Sequence, residues 1–336
     1  MTRQPLLALT LLVLSLSSCD QKKPLAPAPA SPAPKAATAA ASEKPAAEKV
    51  PAPTPALDLT KFPAPLDIGG FGSDEPVERT DLPSRGIIVL GPQDVERSNG
   101  AHWETFLWSK FKAKRWGRYQ VRLTYTLNKA TLGMQFRLGD LIVKKSLLAA
   151  PQPRKTYLGE VYIPQAGELP ISLLTPPSDG SGFAIQELAL IPAPEGAQPV
   201  SQSQDGSITL LAKDATTWSD SMRYEPKPEK NCLGYWTEPD DFAEWEFQVT
   251  KPGRYKVAVV HGCGGGNQGS EVEVKQNGQA LKFTTQDTGG FQNWREVQVG
   301  EIEIKAAGRQ RLVVDPVNKV KSAVLDVQKV VLTPVG

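Results

Sequence analysis

Few side chains in this 336-residue sequence have the chemistry of a catalytic or redox centre. There are two histidines, His102 and His261, and three cysteines, Cys19, Cys232 and Cys263. This leaves little for a histidine-rich metal site or a redox relay. The net charge is only +2, from 38 basic and 36 acidic residues, and no basic stripe is present. We therefore expect no nucleic-acid partner.

Two glycine-rich patterns imitate functional motifs but lack the required context. Segment Val259–Gly265 has the form of a hydrolase strand followed by an oxyanion loop, yet the sequence has no Gly-x-Ser-x-Gly elbow. Gly264–Gly269 satisfies G-x-G-x-x-G, but a strand pattern, Glu271–Lys275, follows it where a phosphate-binding motif needs a helix. The adjacent carboxylates Asp240 and Asp241 should point to opposite faces at a strand entry, which excludes paired acid–base work. We predict that the chain is not an enzyme.

The N-terminus has the pattern of a bacterial lipoprotein signal. Arg3 precedes an apolar run, Leu6–Leu16, that is too short to span a bilayer as a helix of ~20 residues. The run ends in Leu-Ser-Ser-Cys, which resembles a lipobox. We predict that residues 1–18 are a signal peptide and that Cys19 is diacylated, which makes the lipid bilayer a partner.

The residues after Cys19 predict a tether. Asp20 resembles an inner-membrane retention signal, but that rule varies between bacteria, so the predicted location is the cell envelope with the membrane left open. Between Pro24 and Pro65, 11 of the 42 residues are proline and 14 are alanine, too little apolar surface to fold. Residues 19–65 are therefore predicted to form a disordered linker, with 66–84 as an irregular lead-in.

The rest of the chain contains an internal repeat. Three segments recur in the same order: 117–121 at 253–257, 158–163 at 299–304, and 185–192 at 327–334. The conserved order and the similar spacing indicate a duplicated unit. We place the first copy at residues 85–194, a short polar linker at 195–206, and the second copy at 207–335.

The hydrophobic pattern inside each copy is that of β-strands. Apolar and polar residues alternate over Tyr119–Tyr125 and again over Trp245–Val249, which predicts strands with one buried face. Asn277-Gly278 between two such runs predicts a two-residue hairpin turn. No sustained helical periodicity follows residue 70. The predicted fold class is all-β, with two tandem antiparallel β-sandwich (jelly-roll) domains.

The spacing of the repeats also locates insertions in the second copy. Its first strand and its Trp245 strand are separated by 16 additional residues, and the loop His261–Ser270 gains five more. Function in β-sandwiches usually lies on loops held by a rigid scaffold. The second copy is therefore the better candidate for a binding site, and the first is interpreted as a trimmed supporting module.

The second copy also resembles a known family. The matching segments are Asn231–Thr237, Asp240–Phe242, Lys251–Tyr255, Gly262–Gly264, Gly269–Glu271, Asp287–Gly289 and Leu325–Val327. In this order they resemble the galactose-binding-domain-like β-sandwich module that is appended to bacterial sulfatases and glycoside hydrolases. This module is akin to the family-6 and family-35 carbohydrate-binding modules. The resemblance covers nearly all of 207–335 and, more faintly, 85–194.

The resemblance implies a sugar site at the loop rim, because related modules hold a sugar ring between aromatic side chains. The implied ligand-binding residues are Tyr235, Trp236 and Trp294, with Asp240, Asn267 and Gln268. The alternative is that the two tryptophans simply pack the edge of the sandwich.

Many related modules hold a structural calcium ion with a glutamate and an aspartate. Asp326 fits the aspartate position, but Lys213 stands where the pattern has glutamate, and a lysine repels a cation. We therefore predict no cofactor and keep calcium as a weaker alternative.

Cys232 and Cys263 remain after lipidation of Cys19. An even pair outside the cytoplasm suggests a disulfide, and the alternative is two free thiols. The predicted function is a membrane-anchored, non-catalytic lipoprotein whose second sandwich binds carbohydrate or another polar ligand. Two alternatives stay open: an interaction module for an envelope protein, and an accessory domain that acts in trans with a sulfatase or glycosidase.

Overall fold

The structure is a computed structural model that describes residues 79, 81–177 and 180–336. The predicted signal peptide, the lipidated Cys19, the linker 19–65 and most of the lead-in 66–84 lie outside the described residues. Within the described ranges the chain forms β-strands and two short 3-10 helices, Pro92–Asp94 and Ala212–Asp214. No helix in these ranges is long and apolar enough to cross a membrane.

Nine strands precede residue 195. They are β1 (Ile88–Leu90), β2 (Glu96–Asn99), β3 (Glu104–Trp108), β4 (Lys112–Ala113), β5 (Gly117–Leu138), β6 (Leu141–Ile163), β7 (Gly167–Glu168), β8 (Ile171–Thr175) and β9 (Ala184–Pro192). Seven of them form one sheet in the order β1-β9-β5-β8-β3-β2, with β6 paired to β5, and β4 pairs with β7.

Twelve strands follow among the described residues. They are β10 (Val200–Ser201), β11 (Ile208–Leu211), β12 (Thr216–Trp218), β13 (Arg223–Glu225), β14 (Cys232–Gly234), β15 (Phe242–Val249), β16 (Gly253–Cys263), β17 (Glu271–Gln276), β18 (Gln279–Thr284), β19 (Gly290–Ile304), β20 (Gly308–Pro316) and β21 (Asp326–Pro334). One sheet has the order β10-β15-β20-β17-β18 with β12 on β15, and the other has the order β13-β14-β21-β16-β19 with β11 on β21.

The two sets of strands are paired in the same order. The first part of β5 lies between β9 and β6, and its last residues pair with β8, so the strand passes from one layer to the other with irregular register between Leu127 and Thr131. In the second set, β16 lies between β21 and β19, whereas β17 lies between β20 and β18. The loop 264–270 separates β16 from β17, and therefore stands where β5 runs on without a break.

Alternating side chains fill two hydrophobic cores, as the sequence pattern predicts. Val121 and Leu123 are fully buried in the first core, and Trp245 and Phe247 are fully buried in the second. The turn Asn277-Gly278 joins β17 to β18, and both residues have positive φ, as a type I′ turn requires. The all-β, antiparallel sandwich fold class is thereby confirmed, while the proposed domain boundaries stay predictions.

One polar contact and one apolar contact link the two cores, and together we call them the joint. The Arg115 guanidinium is buried and donates hydrogen bonds to the backbone carbonyls of Ser219 and Thr217, each at 3.1 Å. A small apolar cluster packs Ile191 of the first set against Trp218 of the second. The carbonyl groups on β12 and after it are thus satisfied by a charged group from the other core.

Arg115→Met should lower the free energy of unfolding by about 2–4 kcal/mol. The reason is that the substitution removes two charge-assisted hydrogen bonds and leaves the Ser219 carbonyl without its Arg115 donor, while the Thr217 carbonyl keeps the Ser219 amide as a donor at 3.1 Å. The matched control is Arg309→Met, since Arg309 is mostly exposed and makes one ion pair with Glu246 at 2.8 Å, and we expect a loss below about 1 kcal/mol there. Urea unfolding of both variants measures the difference, and equal losses would contradict a structural role for the joint.

Candidate functional site

Four loops meet at one end of the second sandwich. The amide of Val324 donates to the carbonyl of Trp236 at 2.9 Å, and the amide of Ala323 donates to Oδ1 of Asn267 at 3.1 Å. The amide of Cys263 donates to Oγ1 of Thr288 at 2.9 Å. These bonds hold the segments 235–241, 264–270, 285–289 and 317–325 together, and we call them the rim.

The first insertion builds one side of this rim and also faces the first core. Strands β13 and β14 form a hairpin, and β14 pairs with β21 through Leu233 and Val327. The indole Nε1 of Trp116, from the first set of strands, donates to the carbonyl of Tyr224 on β13 at 3.1 Å. Part of this segment therefore contributes to the contact between the two cores, a role that the sequence pattern does not predict.

Tyr235 is the exposed aromatic side chain of the rim, with 44% of its surface accessible. The Arg223 guanidinium lies 3.4 Å from the centre of the Tyr235 ring and 3.7 Å from that of Trp116. The two rings are themselves in an edge-to-face arrangement with centroids 5.8 Å apart. These contacts fix the ring and leave much of it open to solvent.

The backbone of Tyr235 is strained. Its φ of +61° lies in the left-handed region, which is unusual for a bulky residue and occurs often at binding sites. The Oγ of Ser221 donates to the Tyr235 carbonyl at 3.2 Å and so supports this conformation.

Trp236 does not belong to a binding surface, so its implied role as a ligand-binding residue is wrong. Its side chain is fully buried in the second core, and its Nε1 donates to the carbonyl of Asp241 at 3.0 Å. Tyr235 is therefore exposed at the rim, whereas the next residue, Trp236, packs in the core.

Asp240 and Asp241 differ in burial, although both carboxylates lie beside Arg85. The Asp240 side chain is 80% exposed and lies 3.8 Å from Arg85. Asp241 is fully buried and accepts hydrogen bonds from Arg85 at 2.7 Å and from Ser219 at 2.5 Å. Burial raises the pKa of Asp241, and the bonds from Ser219 and Arg85 oppose that shift. Asp240 is available to a ligand, whereas Asp241 is structural.

The other implied ligand residues have different surroundings. Oδ1 of Asn267 is occupied by Ser322 and Ala323, so this residue orders the rim. Gln268 is exposed on the same loop, and Trp294 is half-buried on β19, at the edge of its sheet. The structure thus places Tyr235, Asn267 and Gln268 at one end of the sandwich, and Trp294 on the edge strand beside it.

The two glycine-rich motifs have structural roles. His261 lies on β16 with its ring buried 5.7 Å from that of Phe283, and burial lowers the pKa of this histidine. The Gly264–Gly269 loop runs from strand β16 into strand β17, so no helix N-terminus is available for a phosphate.

Cys232 and Cys263 are free thiols, so the predicted disulfide is wrong. The two cysteines lie on β14 and β16, which flank β21 on opposite sides. Strands two positions apart in a sheet are separated by about 10 Å, beyond the ~7 Å Cα separation that a disulfide tolerates. Cys232 instead contacts Oδ2 of Asp326 at 3.7 Å, and Cys263 contacts the carbonyl of Val324 at 3.9 Å.

Glu225, Cys232 and Asp326 form a buried cluster whose possible ligand atoms lie within 4.8 Å of one another. Calcium requires six to eight oxygen ligands, whereas this set offers two carboxylates and a thiol. The ammonium of Lys230 already pairs with Glu225 at 2.5 Å. The donor set therefore does not fit calcium. Glu225 comes from the inserted hairpin, and no pattern in the sequence connects it with Asp326.

Burial, followed by the negative charge of Glu225, raises the pKa of Asp326 to about 7. The thiol of Cys232 is affected in the same way, since burial, followed by the charge of Asp326, raises its pKa. At neutral pH the cluster thus contains a carboxyl that is partly protonated.

A family model described as a domain of unknown function (DUF5077) matches residues 214–335. No curated protein matches the sequence.

Several solved structures are similar to parts of the chain. One is a family-35 carbohydrate-binding module from Clostridium thermocellum, with 14% identity, a TM-score of 0.32, and 38% of this chain and 98% of that chain covered. Another is the C-terminal family-6 module of a laminarinase from Zobellia galactanivorans, with 16% identity, a TM-score of 0.32, and coverage of 38% and 98%.

A family-26 mannanase with a family-35 module from Podospora anserina has 15% identity and a TM-score of 0.29. The match covers 40% of this chain and spans 28% of the mannanase. At these identities and TM-scores the similarities do not assign a ligand to this chain.

The raised pKa of Asp326 predicts that the free energy of unfolding depends on pH. Asp326 is protonated in the folded state below its pKa of about 7, whereas an unfolded aspartate ionises near 4. The folded state therefore binds the proton more tightly, and this stabilisation is present at pH 4 and lost as the pH rises through 7. In the wild type the free energy of unfolding should fall by up to roughly 4 kcal/mol between pH 4 and pH 8, and Asp326→Asn should remove this decrease.

Urea unfolding at pH 4 and pH 8 measures this effect in the wild type and in Asp326→Asn. Asp240→Asn is the matched control, because it neutralises an exposed carboxylate of the rim segment 235–241. A pH dependence that is the same in the wild type and in Asp326→Asn would contradict the assignment.

Proposed function

We propose that this protein is a lipid-anchored, non-catalytic lipoprotein of the bacterial envelope whose second β-sandwich binds a carbohydrate or another polar ligand at the rim. The observation that carries the proposal is Tyr235, an exposed ring held in a strained backbone conformation by Arg223 and Trp116. Strain of this kind persists where the surrounding structure enforces it, and it occurs preferentially at ligand sites.

The chemistry around Tyr235 suits a sugar. An aromatic face packs against the apolar C–H face of a sugar ring, while hydroxyl groups need fixed polar partners. The exposed carboxylate of Asp240 and the amide of Gln268 are polar groups of the same rim. The fixed position of the ring lowers the entropy cost of binding.

One observation favours interaction with an envelope protein as the second candidate. Val317 and Val320, on the rim segment 317–325, are 48% and 51% exposed. Exposed aliphatic side chains of this kind contribute to protein interfaces, whereas sugar sites use aromatic faces.

Tyr235→Gly should abolish retention of the full chain in affinity gels that contain neutral polysaccharides such as laminarin or galactomannan. Glycine accepts the φ of +61° and so removes the ring without adding backbone strain. Val89→Ala, at an exposed position on β1 of the first set of strands, is the control and should keep wild-type mobility.

Two results would contradict the sugar proposal. One is equal retention of the wild type and Tyr235→Gly, and the other is no retention of the wild type on any polysaccharide tested. Loss of cross-linking to an envelope protein in a Val317→Asp/Val320→Asp variant would then support the second candidate.

Lipidation is tested separately. Cys19→Ala should move the full chain from the detergent phase to the aqueous phase of a Triton X-114 partition, because the acyl chains supply the membrane affinity. Cys263→Ala is the matched control, since this buried thiol lies in the second core. A Cys19→Ala protein that still partitions into detergent would contradict lipid anchoring.

A further inference from the structure

A depression of about 330 Å3 lies on the first sandwich, away from the rim. Residues from the β5–β6 hairpin, with Trp103 before β3 and Pro176 after β8, line it. Its volume is at the lower end of the range for small-ligand sites, roughly 300–1,000 Å3.

Gly133 forms the floor of this depression. It lies directly opposite Ser146, and two residues further along the same face Gln135 lies opposite Lys144. A Cβ atom built on Gly133 meets no other atom within 4 Å, so the space above it is open. Because the backbone of Gly133 lacks a positive φ, the glycine is required neither by a turn nor by a close approach. Its missing side chain creates the hollow.

Trp103 provides an apolar wall for the hollow. The indole is 37% exposed, although large aromatic side chains are usually well buried. The backbone at this point is ordered, since the Gly100 amide donates to the Trp103 carbonyl at 2.9 Å.

The hairpin that carries the hollow is strongly basic. Residues 117–163 contain eight basic side chains and two acidic ones, Asp140 and Glu160, whereas the other residues contain 30 basic and 34 acidic ones. Lys144 lies on the same face as Gln135 and Ser146 and forms no ion pair with any residue that the structure describes. A positive charge at a concave surface attracts an anion.

We propose that this hollow binds a negatively charged sugar, carboxylated or sulfated. The Trp103 indole would cover the apolar face of the sugar ring, Lys144 would pair with the acidic group, and Gln135 and Ser146 would bond to hydroxyls. The hydroxyl and amide groups inside a hollow favour a sugar over an anionic membrane surface, which needs only a flat basic patch. This site is independent of the one proposed at the rim.

Gly133→Val is the decisive variant. Its side chain occupies the space directly above Gly133 and obstructs the hollow, while that open space and the strand preference of valine should leave the fold intact. The full chain should be retarded in affinity gels that contain polygalacturonate or dextran sulfate, and Gly133→Val should run as it does in a gel without polysaccharide.

The charge requirement is tested with a matched pair of variants. Lys144→Gln should bind roughly tenfold more weakly, because this lysine supplies a charge-assisted bond. Lys256→Gln removes the same charge from an exposed position of the second sandwich and should bind like the wild type. Tyr235→Gly should also bind the acidic polymers normally, which separates this site from the rim.

Three results would overturn the proposal. The first is a wild type that neither acidic polymer retards. The second is a Gly133→Val variant that binds them like the wild type. The third is that the wild type and Gly133→Val bind phosphatidylglycerol vesicles equally and neither polymer retards them. That result would assign the basic hairpin to the membrane surface.

Discussion

A single buried guanidinium sets how the two cores meet. Arg115 extends from the first set of strands and satisfies the carbonyls of Thr217 and Ser219. A buried cation is costly unless its donors are paired, so this arrangement tolerates little displacement of one core against the other. The next residue, Trp116, then contacts Arg223, which in turn holds Tyr235. The exposed ring of the rim therefore depends on a residue of the other core.

The two sets of strands show how one pattern of pairing can give two surfaces. In the first set, β5 crosses between layers as a continuous strand, so this end of the sandwich has no loop to elaborate. In the second set the same crossing is interrupted by 264–270, and Asn267 ties that loop to the segment before β21. The set of strands with the loop has a rim, whereas the set with the continuous hairpin has an extended and basic sheet surface.

Period-two alternation was sufficient to predict the strands and cores, because burial of one sheet face imposes it directly on segments such as Tyr119–Tyr125. The Asn277-Gly278 turn was predictable as well, because it depends only on these two residues and the strands beside them. The roles of Trp236 and Cys232 were not predictable, since they depend on which residues lie across the sheet or in the facing layer. The joint was missed for the same reason: nothing in the local pattern around Arg115 reveals a partner 102 residues later in the chain.

The ion pairs of Arg79 and Arg85 have a mechanical consequence. Arg79 pairs with Glu244, and Arg85 pairs with the buried Asp241, so both residues before β1 are bound to the second sandwich. A pulling force applied on the N-terminal side of Arg79 would act on these ion pairs before it reached β1. The strands of both sandwiches would be shielded from tension for as long as the two arginines held.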